Sequence, residues 1–125
     1  MLSGSSTYRF AIRANDIDSA GHINNSVYFE AFEAGRWDWA SKYLPNIGHS
    51  ITAVVSSITV DYLKPIIPRP NEYVDIITNI HLCEYFSIYF NQQMTIDEKN
   101  IATAKVRVVP FDIKSSRIIS VKSLL

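Results

Sequence analysis

Within the fourteen residues Asn15 to Tyr28 (Asn-Asp-Ile-Asp-Ser-Ala-Gly-His-Ile-Asn-Asn-Ser-Val-Tyr) stand two carboxylates, a glycine, a histidine and two adjacent asparagines. The stretch runs straight into an aromatic-rich segment with helical spacing. A carboxylate on a loop just ahead of a helix lies beside backbone N–H groups that have no acceptor within the helix. The helix dipole makes that end attractive to negative charge. A base or nucleophile next to such donors suits chemistry at a carbonyl. Asp16 or Asp18 can attack an acyl carbon, or deprotonate a water that does. The N–H groups from Asn25 to Val27 can then hold the oxygen as it gains charge, each such donor being worth about 3–4 kcal/mol in the transition state. Gly21 lets the loop around Asp18 turn sharply.

Each of these residues also has a structural reading. Asp16 and Asp18 suit turns in which a carboxylate bonds its own backbone. His22 suits a hydrogen-bonded structural role, and Asn24 and Asn25 suit helix caps. By residue type alone, two aspartates and a histidine compete, and an innocent turn is the commoner outcome. Other chemistries have no motif here. There is no phosphate-cradling glycine loop, dinucleotide fingerprint, His-Glu-x-x-His, cysteine pair or Gly-x-Ser-x-Gly. His22, His49 and His81 are scattered, so no metal site is expected.

The elements that must position the loop follow from periodicity. In residues 7–14, Phe10 and Ile12 alternate with Arg9 and Arg13, which predicts a half-buried strand. A helix is predicted from near Val27, capped by Asn24, Asn25 or Ser26, with Glu30 in its first turn. Tyr28, Phe32, Gly35, Trp39 and Tyr43 form one stripe, widened by Phe29, Ala31 and Ala40. Glu30, Glu33 and Ser41 mark the opposite side, with Trp37 there as a candidate partner contact. Pro45 and Gly48 should end the helix. Gly35 in mid-helix costs about 1 kcal/mol against alanine, so close approach of a strand is expected there.

Beyond residue 50 the period is 2. In 51–63, Val54, Ile58, Val60 and Tyr62 are assigned to one face, and Val55, Ser57, Thr59 and Asp61 to the other. The prolines of 64–71 predict a rigid connection. In 72–82, Val74, Ile76, Thr78, Ile80 and Leu82 share a face; in 85–96, Phe86, Ile88, Phe90, Met94 and Ile96 do. Asp97 to Asn100 reads as a four-residue hairpin connection. In 101–111, Ala102, Ala104, Val106 and Val108 alternate with Thr103, Lys105 and Arg107, and a last short strand is predicted over 117–121. The order is strand, loop, long helix, then four or five antiparallel strands, an α+β arrangement. One helix cannot cover both faces of such a sheet, so at least a homodimer is expected.

The totals agree with one domain over residues 7–125, preceded by a loose leader at 1–6. The 125 residues are 47% hydrophobic and 12% aromatic, enough for a core. Twelve basic and twelve acidic residues cancel, so no global field draws nucleic acid or an anionic membrane. No apolar run approaches the roughly 18 residues of a membrane span, and no secretory leader is legible. Cys83 is alone, which suits a reducing, cytoplasmic setting.

The run Asp18-Ser-Ala-Gly21-His22-Ile-Asn24-Asn25-Ser-Val-Tyr28 resembles the Asp-x-x-Gly-His-x-Asn-Asn-x-x-Tyr signature of hotdog-fold acyl-CoA thioesterases, in the branch named for 4-hydroxybenzoyl-CoA thioesterase. The resemblance covers almost the whole chain. Tyr28 to Arg36 is similar to the start of the family's central helix, Val60 to Pro65 to the strand before its proline turn, and Ala102 to Asp112 to its closing strand. It implies a five- or six-stranded antiparallel sheet wrapped around one helix, in a homodimer or homotetramer with sites at the subunit interface. It implies an acyl-CoA or acyl carrier protein substrate, with coenzyme A entering only as part of that substrate and no other cofactor. Asp18, rather than Asp16, matches the family's nucleophile or general base, and the backbone N–H of Asn25 matches the group that polarises the thioester carbonyl. His22, Asn24 and Tyr28 match positions that shape the acyl pocket. Ser56, Ser57 and Thr59 fall on the strand that would pass the site. Lys64, Arg69, Lys105 and Arg107 are generic candidates for coenzyme A phosphates. The chain departs from the family after Pro65, where Pro68-Arg-Pro-Asn-Glu72 replaces the usual Gly-Asp pair. Other thioesterases of the fold carry their acidic residue on the helix, but Glu30 and Glu33 lie off the aromatic stripe by phase. Two further readings are a non-catalytic acyl-thioester-binding protein and a dehydratase on the same fold, whose usual loop pattern is not the one present.

Overall fold

The aromatic stripe becomes a single helix, α1 (Asn25–Tyr43), in a computed structural model that describes residues 2–64 and 69–125. Against it lies one six-stranded antiparallel sheet made of β1 (Ser5–Ala11), β2 (Ile51–Tyr62), β3 (Tyr73–Cys83), β4 (Ile88–Ile96), β5 (Lys99–Asp112) and β6 (Arg117–Ile118). The spatial order is β1-β3-β4-β5-β2, with β6 paired to β5. Short 3-10 turns at Ala14–Asp16 and Val121–Leu124 complete the chain. This is the predicted arrangement of one long helix on an antiparallel sheet. Among the described residues, no helix is long and apolar enough to cross a membrane.

Phe32, Trp39 and Ala31 are fully buried and Tyr28 nearly so, because residues three and four apart line one side of a helix. Phe29 does not widen the stripe as expected. It is 42% exposed, since each residue turns about 100° from the last and Phe29 is carried off the sheet-facing side. Trp37 is exposed, as its phase predicts. At Gly35 a Cβ would overlap Ile76 Cγ2 and come within 3.2 Å of Gln92 Nε2. The missing side chain lets β3 approach the helix, which offsets the propensity cost.

Two bulges overturn face assignments made from strict alternation. In β2 the register to β5 slips between Val55 and Ser57, with Val55 opposite Val108 and Ile58 opposite Val106. Ser56 is the extra residue, and it moves Val55 to the helix-facing side and Val54 to the outer face, where Val54 is 49% exposed. In β3 the slip lies between Ile80 and Leu82. Cys83, opposite Ile88, therefore packs on the core, and Leu82 turns outward. Phe86 lies before β4 and is exposed rather than sharing its inner face. The β4–β5 connection is a two-residue turn, not four: Ile96 pairs with Lys99, and Asp97 and Glu98 both have positive φ (49° and 66°). Positive φ at both centres is the type I′ geometry that matches strand twist.

The first strand begins at Ser5, inside the predicted leader, and ends at Ala11 rather than Ala14. Ser5 and Ser6 pair with Asn79 and Thr78, and Ser6 is buried. Trp39 Nε1 donates to the Gly4 carbonyl (3.1 Å) and the Tyr43 hydroxyl to that of Ser5 (2.8 Å). Bonds from the helix thus order small polar residues that composition reads as loose. Helix α1 begins at Asn25, two residues before the predicted start. The last strand is only Arg117–Ile118. The proline connection has its central residues, 65–68, outside the described residues.

Candidate active site

Residues Arg13 to Asn24 carry the two carboxylates, and the structure separates their roles. Asp16 is buried at 4% exposure. Its carboxylate accepts from the Arg13 backbone N–H at 2.8 Å and from Arg13 Nε at 3.0 Å, closing the 3-10 turn. Burial pushes this carboxyl up, but the hydrogen bonds and charge of Arg13 outweigh it and hold the group below the usual carboxylate range. Arg13 also reaches Glu30 at 2.7 Å, which ties the turn to the first turns of α1 and occupies one of the two helix glutamates.

From Asp16 the chain folds back on itself. The Asn24 N–H donates to the Asp16 carbonyl (2.8 Å), Ile17 and Ile23 form a bridge, and the Asp18 N–H donates to the His22 carbonyl (2.8 Å). Gly21, at φ 81°, makes the reversal, and its N–H meets the Asp18 carbonyl at 3.0 Å. Asp18 sits at this tip, exposed. Its Oδ1 accepts from the N–H groups of Ala20 (2.9 Å) and His22 (3.0 Å), the turn predicted from residue type. Oδ2 has no partner among the described residues, so the same side chain is held by one oxygen and free at the other.

Asn24 is the N-cap of α1, with φ −61° and ψ 137°, yet its side chain makes no capping hydrogen bond. Among the described residues, the backbone N–H groups of Asn25 and Ser26 have no acceptor. A helix start without its side-chain cap leaves these donors open to water or a ligand. His22, Asn25 and Tyr28 line a common pocket of about 270 Å³ with Ile23, Tyr62, Leu63 and Lys64. Tyr28 packs edge-on against Tyr62, with ring centroids 4.8 Å apart. Burial, aided by Tyr62, pushes the Tyr28 phenol up, so it stays a neutral hydroxyl. Asp18 and Asn24 flank this pocket in sequence without lining it.

Ser56, Ser57 and Thr59 are not brought to that pocket within one chain. Ser56 is the bulged residue, and its Oγ donates to the Arg107 carbonyl at 3.2 Å. Ser57 and Thr59 face outward from the sheet and line a separate pocket with Lys105 and Arg107. Among the described residues, no group of three or more His, Cys, Asp or Glu could hold a metal ion.

One polar network was not anticipated. Gln92, at 1% exposure, occupies an inward position between Phe90 and Met94. Its Nε2 donates to the Phe32 carbonyl and to Thr78 Oγ1, both at 2.9 Å, and its Oε1 accepts from Arg36 (3.0 Å). Burial pushes the Arg36 guanidinium down, with Glu33 opposing. Arg36, Glu33 and Trp37 rim a mainly apolar cavity of about 60 Å³ reaching Ala40, Ala53 and Val55 between α1 and β2. A polar residue at an inward strand position, which must find partners, was the available signal.

A sequence profile described as the thioesterase-like superfamily matches residues 12–124. The long-chain acyl-CoA thioesterase FadM of Escherichia coli (strain K12) is 24% identical over 119 residues, covering 91% of this chain and 89% of that protein. Among solved structures, a probable thioesterase from Bartonella henselae superposes with a TM-score of 0.80 at 18% identity, covering 94% of this chain and 97% of the other. Slr0204, a 1,4-dihydroxy-2-naphthoyl-CoA thioesterase from Synechocystis, superposes at 0.77 with 15% identity, covering 94% and 90%. At such identities the two superpositions speak for the fold.

Proposed function

The chain belongs to the thioesterase-like superfamily, and from that premise we propose that it hydrolyses an acyl-CoA thioester to a free acid and a thiol. In this reading Asp18 attacks the thioester carbonyl carbon, or takes the proton from a water that does. The carbonyl oxygen, gaining negative charge, is held by the N–H of Asn25 with the helix dipole behind it. The C–S bond then breaks. In the general-base route the water oxygen ends in the free acid, and the proton taken by Asp18 passes to the leaving thiolate. In the nucleophilic route the thiolate leaves first. A water then hydrolyses the acyl–Asp18 anhydride, freeing the acid and the Asp18 carboxylate and supplying the thiol's proton. His22 and Tyr28 shape the acyl pocket, and Asn24, the N-cap beside it, supports the helix start. The observation that carries this reading is the uncapped start of α1: Asn25 and Ser26 offer free N–H donors a short loop away from a carboxylate with one unengaged oxygen.

The reading includes a homodimer. Among the described residues, strand β2 is bonded on one edge only, to β5, and Val54, Val55, Tyr62, Leu63, Phe29 and Trp37 are exposed on β2, just past its end and on the helix. An unpaired edge of twelve residues beside exposed apolar side chains supports antiparallel addition of a second β2. A thiol-release assay over short, long and aromatic acyl-CoAs tests the activity. Thiol should appear from at least one member of the panel. If thioesters bind and none is cleaved, the chain is an acyl-thioester-binding protein and the hydrolytic reading fails.

A further inference from the structure

The outer face of the sheet, turned away from α1, carries two cations side by side, and among the described residues no acidic side chain lines the space between them. Past the bulge at Ser56, Ser57 and Thr59 alternate outward with Ile58 and Val60 inward, so that Ser57 stands opposite Arg107 and Thr59 opposite Lys105. On the other side of β5, Tyr89 stands opposite Arg107 and Asn91 opposite Lys105. Two neighbouring rows result, Ser57–Arg107–Tyr89 and Thr59–Lys105–Asn91, with partners about 5 Å apart across strands and rows about 7 Å apart along them. His81, the extra residue of the β3 bulge, joins the lining of a pocket of about 220 Å³.

Arg107 is aimed rather than loose. Its Nε donates to Ser87 Oγ (3.1 Å), a side chain at 2% exposure, and one terminal nitrogen donates to Ser56 Oγ (3.2 Å). Both acceptors are neutral, the Tyr89 ring lies 5.9 Å from its Cζ, and among the described residues no carboxylate pairs with it, so the guanidinium is positioned without a counter-ion. Glu84 is engaged by the Tyr89 hydroxyl at 2.7 Å and does not line the pocket. Lys105 forms no ion pair among the described residues.

We infer that this outer-face pocket binds a phosphate group, held between Lys105 and Arg107 with the hydroxyls of Ser57 and Thr59 and the amide of Asn91 as further donors. Two cations of different geometry, a fork and a point charge, spread over two rows suit an anion with several oxygens better than a single carboxylate. The phosphate has two possible sources, the nucleotide of a coenzyme A substrate or a separate phosphorylated ligand. Only the first source rests on the hydrolase reading.

Calorimetric titration of the full chain with adenosine 3′,5′-bisphosphate and with inorganic diphosphate at low salt tests the site. Saturable binding is expected, weakened about tenfold or more in Lys105→Gln and in Arg107→Gln, as loss of a charge-assisted contact implies. Thermal melts check that the variants fold; Lys105, which supports no other side chain, is the decisive one. Absence of saturable binding, or equal binding by wild type and Lys105→Gln, overturns the inference. A second arm compares an acyl-CoA with the same acyl group on N-acetylcysteamine. A KM raised in Lys105→Gln for the acyl-CoA alone assigns the phosphate to the substrate. An unchanged KM together with weakened bisphosphate binding assigns it to a separate ligand. A chain inactive on every thioester removes the hydrolase reading and leaves the titration to judge the site.

Discussion

The two halves of the loop before α1 hold one aspartate each, and the fold treats them oppositely. Asp16 is buried, takes hydrogen bonds from the backbone and side chain of Arg13, and closes a turn with both oxygens engaged. Asp18, two residues on, is exposed and holds its own turn through one oxygen. A carboxylate whose charge is compensated on every side stabilises a loop. One that is only half used can stabilise its loop and still react. Chemical type is identical; the hydrogen-bond inventory tells them apart.

The sharpest break in that comparison is Asp18→Asn. It keeps an oxygen for the Ala20 and His22 N–H groups and removes the base, so turnover should fall by about 10²–10⁴-fold with the melting temperature little changed. Full activity in that variant would remove Asp18 from the mechanism. Asp16→Asn should do the reverse. Loss of the buried charge should lower stability by about 1–3 kcal/mol in a denaturant titration, with a smaller change in kcat. A larger kcat loss than in Asp18→Asn would exchange the two roles.

Acid titration sharpens the same contrast. The Asp16 carboxyl lies below its ordinary value in the folded chain, so the unfolded chain binds its proton first as pH falls. Its stabilisation is complete above the unfolded carboxylate pKa of about 4 and is lost as pH drops below that. The stability gap between wild type and Asp16→Asn should therefore narrow below about pH 4, and a gap that stays constant would contradict the assignment. The smallest effect belongs to Asn24→Ala. An N-cap side chain normally contributes about 1 kcal/mol, but this one makes no capping bond. Its loss should change the unfolding free energy from a denaturant titration by less than about 0.5 kcal/mol, and a full capping cost would show that the helix start is not left open.

Much of this architecture was readable from the chain because its signals are local. The stripe Tyr28, Phe32, Gly35, Trp39, Tyr43 needs only the 3.6-residue period, and Gly35 announced a close approach that Ile76 then makes. What failed was whatever depended on a neighbouring strand. Alternation cannot register the extra residues Ser56 and His81, which exist only as mismatches between paired strands. Alternation therefore puts Val55 outward and Leu82 inward, the reverse of what the bulges produce. Ser5 and Ser6 are ordered by Trp39, Tyr43 and β3, all remote in sequence, and Gln92 finds partners on α1 and β3.

By itself the sequence determined the helix, the antiparallel strands and the loop carrying Asp18, Gly21, His22, Asn24 and Asn25, because period, turn chemistry and motif are written in consecutive residues. Only the tertiary structure decided which aspartate is compensated and that Asn24 leaves the helix start uncapped. It also decided that Ser57 and Thr59 turn away from the loop toward Lys105 and Arg107. Those outcomes depend on hydrogen bonds, strand register and burial. Each is a property of pairs of residues that the chain brings together only by folding.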